Sequence, residues 1–145
     1  MKKNIICAIC FFLIGHVYAS AADVYVAINR LNASTITSAQ VLKILKAESL
    51  TWENGNSVVL IIDDLQETDS DSFDEVLDMS KSQFIEFWRI KFFSGRALIP
   101  KQIKNPTHAL SILFENKNGI YVSIGKKVSK ELAGSPDLKI FNLKY

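Results

Sequence analysis

Cysteine is nearly absent from this chain: of 145 residues only Cys7 and Cys10 carry thiols, and both stand close to its start. Past residue 21 no disulfide is available, so a domain there has to hold together by core packing alone. Histidine is as scarce, with His108 the one imidazole past that point. A lone histidine without thiols leaves a zinc site short of its usual donors. No nucleophile, base and orienting residue can be assembled from these spacings, and the acids read as one hydrated run without contrasting surroundings. Neither catalysis nor a cofactor is expected. Long apolar runs are lacking as well, since the one from Ile5 to Ile14 is too short for a hydrocarbon core of about 30 Å.

That short run has another meaning in its setting. Lys2 and Lys3 precede it and Ala19-Ser20-Ala21 follows it, the basic, apolar and small-residue order of a secretory signal peptide. Cleavage is expected after Ala19 or Ala21, leaving residues 22–145 as one exported domain without a membrane span. About 125 residues suffice for one hydrophobic core.

Charge of one sign is not in excess either. Without Lys2 and Lys3, fifteen basic side chains face fifteen acidic ones, a balance that argues against a general binder of nucleic acid or anionic membrane. The charges are nonetheless sorted. Asp63, Asp64, Glu67, Asp69, Asp71, Asp74, Glu75 and Asp78 follow one another with no base between them, and Arg89, Lys91, Arg96, Lys101 and Lys104 with no acid.

The apolar pattern reads as alternating strands and helices. Val24 to Ile28 and Val58 to Ile62 have the β-branched, fully apolar character of buried strands, and Ile120 to Ile124 and Leu138 to Leu143 add two more. Between the first two, Thr37 and Gln40 carry capping-box spacing ahead of a helix over about Ser38 to Lys46, with Val41, Leu42 and Leu45 inward. Strand, helix and strand in succession predict a parallel unit. Ser72 with Glu75 and Ser80 with Gln83 predict two further helix starts, followed by Phe73, Val76, Leu77 and by Phe84, Phe87, Trp88. Asn105-Pro106 opens another helix with Ala109, Leu110, Leu113 and Phe114 on one face, and Pro100 to Asn105 reads as loop. Trp52 and Trp88 read as core anchors. The expected class is α/β, a mixed and mostly parallel sheet flanked by helices.

These landmarks fall in a familiar order. Ile28-Asn29, the Thr37 to Leu45 helix, Trp52-Glu53-Asn54-Gly55, the Val58 to Ile62 strand, Phe73, Phe87-Trp88, Phe93-Ser94-Gly95, Pro100 and Gly119-Ile120-Tyr121-Val122 span most of the chain past residue 21. Together they resemble one lobe of the periplasmic phosphate-binding proteins of phosphate ABC transporters, and more closely their short single-lobe relatives. The resemblance implies a type II periplasmic-binding-protein-like lobe, a bacterial periplasm, a small oxyanion as ligand and a transporter, sensor or other periplasmic protein as partner. It also sets aside Asn32-Ala33-Ser34 as a glycosylation acceptor.

In that family the second strand runs into an R-x-x-G-S-G-T loop and a helix start, where arginine, hydroxyls and backbone amides hold the anion. Matched on Phe73, this chain places Asp63 at the arginine, Glu67 at the serine, and Thr68 and Asp69 at the glycine and threonine; Ser70 and Ser72 remain as hydroxyl donors. The resemblance thus assigns the ligand loop to Asp63, Glu67, Thr68, Asp69, Ser70 and Ser72, but in acidic form, so phosphate binding is expected to be weak or lost. An alternative anion contact is the Ser94-Gly95-Arg96 turn in the basic stretch.

Three functions follow. The leading one is an exported solute-binding-like protein with an altered anion loop. The second is a non-catalytic protein interaction module, its acidic and basic faces meeting a partner or another copy, so that two copies can form a homo-oligomer with a cleft. The third is a divalent-cation binder at Asp69-Ser70-Asp71, which begins like a calcium loop but has Phe73 at the third ligand position and no glycine after it.

Overall fold

Two hydrophobic cores lie on opposite faces of one sheet. The structure, a computed structural model, describes residues 21–145, so Cys7, Cys10 and all but the last residue of the expected signal peptide lie outside the described residues. Strands β1 (Asp23–Asn29), β2 (Val59–Asp63), β3 (Lys101–Ile103), β4 (Gly119–Ile124) and β5 (Leu138–Lys144) form it in the order β3-β2-β4-β1-β5. Helices α1 (Ser38–Leu45), α2 (Ser70–Leu77), α3 (Lys81–Phe93), α4 (Pro106–Glu115) and the single turn α5 (Lys130–Ala133) cover its faces. No helix among the described residues is long and apolar enough to cross a membrane.

Alternation along each strand divides the side chains between the two cores. Val24, Val26 and Ile28 of β1, Leu60 and Ile62 of β2, and Ile120, Val122 and Ile124 of β4 pack under α1, α2 and α3 with Phe73, Phe84 and Trp88. Ala27, Ile61 and Tyr121 point the other way, against Ala109, Ile112 and Leu113 of α4 and Leu132 of α5. Trp52 and Trp88 are both core residues, each 2% exposed, and their indole N–H groups donate to the carbonyls of Asn118 and Leu45. Such partners are what allow an indole to be buried.

Four strands point one way and β1 opposes them. It pairs antiparallel with β4 and with β5, while β2 pairs parallel with β3 and β4. The first strand, helix and second strand are therefore not the expected parallel unit: β4 lies between β1 and β2, and the two run in opposite directions. The parallel crossovers are β2 through α2 and α3 to β3, and β3 through α4 to β4.

Local start signals decide most helix ends, with one exception. The Ser80 and Gln83 side chains form the full reciprocal box at α3, Thr37 accepts the Gln40 amide at α1, and Asn105 accepts the Thr107 amide ahead of Pro106. At α2, however, the cap is Asp69, whose Oδ2 accepts the Ser72 amide at 2.8 Å, so the helix begins earlier than the Ser72–Glu75 spacing predicts. Two smaller differences concern burial and length. Phe114 is 44% exposed rather than inward, its place on the buried face taken by Ile112. Lys101 to Ile103, read as loop, pairs with β2 as a short edge strand.

Candidate functional site

The end of β2 carries Asp63 to a point beside β4. Ile62 pairs with Val122, which sets Tyr121 and Ser123, on one face of β4, against the Asp63 carboxylate. Tyr121 donates its hydroxyl to Oδ1 at 2.5 Å, and the Ser123 Oγ lies 2.7 Å from Oδ2. Ser123 is fully buried, and its Oγ is equally 2.7 Å from the Lys126 carbonyl, so its one proton serves one of these acceptors at a time. Burial first, then donation to Asp63 and the nearness of its charge, push the Tyr121 phenol well above its ordinary range.

The loop after Asp63 folds on itself. Asp64 is buried, accepts the Gln66 amide through Oδ1, and its backbone carbonyl accepts both the amide and the hydroxyl of Thr68. The Gln66 amide, and then Lys104 at 3.4 Å, hold the Asp64 carboxyl below the usual carboxylate range. Thr68 is turned inward, and its carbonyl receives the Lys81 ammonium. Lys126 pairs with Glu67 at 3.2 Å, both largely in solvent. Lys81 of α3 and Lys104 and Lys126, on the connections after β3 and β4, thus reach the acidic loop. Exposed pairs of this kind contribute about 0 to 1 kcal/mol each, so they offset the loop's charge more than they stabilise the fold.

The start of α2 is closed from both sides. The hydroxyl and amide of Ser72 hold the Asp69 carboxyl below its ordinary pKa, as expected of a carboxylate capping a helix. Gly125, at φ +70°, crosses so close that a Cβ on it would stand 2.9 Å from both Cβ and Oγ of Ser72. The Gly125 amide donates to the Asp23 carbonyl at 2.8 Å, fixing this approach. Ser70 and Asp71 remain exposed on the outer side.

The sequence-predicted loop residues Asp63, Glu67, Thr68, Asp69, Ser70 and Ser72 therefore gather at one place, around the β2–α2 connection. They are not a uniformly hydrated acidic run. Asp63 and Asp64 are engaged inside the molecule, while Asp71, Asp74, Glu75 and Asp78 stand exposed along α2. Tyr121, Ser123, Gly125 and Lys126 complete the site and were not singled out from sequence as its members. Alternation puts Tyr121 and Ser123 on one face, but only the sheet order puts that face beside Asp63.

Ser94, Gly95 and Arg96 lie elsewhere, at the C-terminal end of α3. The Ser94 hydroxyl donates to the Lys91 carbonyl, the Gly95 amide to Phe92 and the Arg96 amide to Lys91. This is a helix-ending turn with Gly95 at φ +69°, and its amides serve the helix carbonyls rather than an anion. Of the three, the Arg96 side chain is left without an ion pair among the described residues. Asn32 is buried, donating to the Lys117 carbonyl and accepting the Ser34 amide, and His108 is exposed on α4.

No protein-family model matches the chain, and no curated protein does. Among solved structures it is similar to an ABC-type phosphate transport receptor from Vibrio cholerae, with a TM-score of 0.54 and 12% sequence identity. The fold is that of a periplasmic-binding-protein lobe. The match covers 83% of this chain and 46% of the receptor, so the chain spans about half the receptor's length. A protein described as a phosphate ABC transporter substrate-binding protein with bound phosphate, from Clostridium perfringens, gives a TM-score of 0.49 at 12% identity over 84% of this chain and 55% of that one. In this lobe the connection from β2 to α2 has its carboxylates engaged by the chain's own donors.

Proposed function

We propose that this chain is an exported, non-catalytic solute-binding-like protein of the bacterial periplasm in which the β2–α2 loop binds phosphate weakly or not at all. The supporting observation is the Asp63 carboxylate, which already takes the Tyr121 hydroxyl and shares the Ser123 hydroxyl with the Lys126 carbonyl. An incoming phosphate meets Asp63, Glu67 and Asp69 with no arginine between them, and the nearby lysines are already engaged, Lys126 by Glu67, Lys104 by Asp64 and Lys81 by the Thr68 carbonyl. Two unit charges of like sign 4 Å apart repel by about 4 kcal/mol at the effective dielectric of a protein surface. Neutral hydroxyl contacts from Ser70 and Ser72 return about 1 kcal/mol each. The balance is unfavourable.

Thermal melting against phosphate, sulfate, other oxyanions and calcium tests this reading. No shift with phosphate is expected. A rise of several degrees at millimolar phosphate contradicts it, because a ligand that binds the native state raises its stability by mass action.

A second reading has its own observation. Most of the large exposed apolar side chains lie on α3 or on the segment that follows it, which favours an interaction module built on the binding-protein lobe, working with a transporter, a sensor or another periplasmic protein. Size-exclusion chromatography with light scattering, at low and high salt, separates a partner-seeking monomer from a homo-oligomer.

A further inference from the structure

Helix α3 carries seven large apolar side chains, yet only Phe84 and Trp88 are buried. Six of the eight large apolar side chains exposed among the described residues, Ile85, Ile90, Phe92, Phe93, Leu98 and Ile99, lie on it or on the segment that follows it. Phe93 and Leu98 are 79% and 74% exposed. A concentration of this kind on a small protein marks an interaction surface.

The surface is grooved. A cavity of 380 Å³ opens between α3, the 95–101 segment and the start of β2, with Leu50, Val58, Leu60 and Trp88 among its walls. A second cavity of 150 Å³ adjoins it, with Trp88 and Ile99 lining both. Arg96 and Lys101 border the larger cavity and Arg89 the smaller, and no acidic side chain lines either. Arg89 is paired with Glu86, whereas Arg96 and Lys101 have no ion pair among the described residues.

Shape and charge narrow the occupant. A flat bilayer reaches Phe93 and Leu98 but leaves the groove unfilled. A small anionic amphiphile fills the groove but leaves Ile90 and Phe93, which line neither cavity, in water. A second copy offers α2 as its acidic element, but Phe73, Val76 and Leu77 are all buried there, so that face has acids and no apolar side chain to insert. We propose that the groove along α3 docks an acidic amphipathic helix of a partner protein, with apolar side chains in the two cavities and carboxylates on Arg96 and Lys101. This is helix-in-groove recognition with its charges matched across the rim. It extends the interaction-module reading and is independent of the β2–α2 loop.

Trp88 floors both cavities and gives the readout. The purified protein carrying Trp52→Phe, so that Trp88 alone emits, is titrated with a panel of synthetic amphipathic helices bearing leucine at i, i+3, i+4 and i+7 and glutamate on the flanks. Saturable change in Trp88 emission is expected with at least one glutamate peptide, about tenfold weaker with its lysine-for-glutamate version. It is further expected to weaken with Arg96→Glu, with Leu98→Ser and on raising salt well above 0.1 M. Both positions are exposed, so the variants keep the wild-type circular dichroism and melting temperature. No saturation by any glutamate peptide at millimolar concentration overturns the proposal. So does equal binding of the lysine peptides, or emission change with phosphatidylglycerol vesicles but with no peptide. Phosphate titration leaves this outcome untouched, and the peptide titration leaves the phosphate reading untouched.

Discussion

The Tyr121 hydroxyl donates to the Asp63 carboxylate at 2.5 Å across the β2–β4 pair, between residues 58 apart in sequence. A carboxylate at the end of this strand is thereby solvated by hydroxyls rather than paired with a cation. The bond joins a phenol that is 3% exposed to a half-buried acid, so each needs the other.

Tyr121→Phe removes the donor and is expected to destabilise the protein by about 1.5 to 3 kcal/mol, the range for a hydrogen bond to a charged group. Asp63→Ala leaves the phenol unsatisfied and is expected to cost a similar amount. In urea denaturation the double variant is expected to lose clearly less than the two single losses together, since the pair acts as a unit. Strict additivity contradicts the pairing.

Stability is expected to decline at alkaline pH because of the same residue. The folded-state pKa of Tyr121 lies above its unfolded value of about 10, so its contribution is complete below pH 10 and is lost as pH rises through the folded value. Tyr121→Phe is expected to flatten that limb. Melting temperatures of both proteins from pH 8 to pH 11 check this.

At acid pH the relevant groups include Asp64 and Asp69, held below their usual range by the Gln66 amide and by Ser72 respectively. Their contribution is present above about pH 4 and is lost as pH falls through the lower folded values. Asp69→Asn keeps a capping side chain but cannot titrate, so its loss of stability between pH 5 and pH 2 is expected to be shallower than wild type. An identical acid limb contradicts the assignment.

Gly125→Ala is expected to destabilise by about 2 kcal/mol or more, from the left-handed backbone and the collision with Ser72 together. Gly55→Ala, at φ +83° with nothing near its missing Cβ, carries the backbone component alone and is expected to lose less. The difference between their melting temperatures measures how tightly the Gly125 loop is pressed against α2.

Much of the architecture was legible because it is local. Val24 to Ile28, the Thr37 cap, the Ser80–Gln83 box and Asn105-Pro106 each announce an element through residues a few positions apart. Lys101 to Ile103 was not legible, because a three-residue edge strand with Lys101 and Gln102 in it has the composition of a loop. The direction of β1 was hidden for a different reason: strand, helix and strand in sequence says nothing about a third strand, β4, inserted between them. The site was half legible. Asp63 to Ser72 could be collected on resemblance, but Tyr121, Ser123 and Gly125 reach them only through sheet order, which residue spacing does not encode. The Ser72 amide could be predicted to need a partner, but Asp69 competes for it and wins with a shorter, charged side chain.

The proposed loss of phosphate binding rests on a β2–α2 loop filled by its own acids. Isothermal titration of the purified protein with inorganic phosphate tests it most directly. No binding heat up to about 1 mM phosphate is expected, corresponding to less than about 4 kcal/mol of affinity. A saturable isotherm with a micromolar dissociation constant, abolished by Ser72→Ala, contradicts the account.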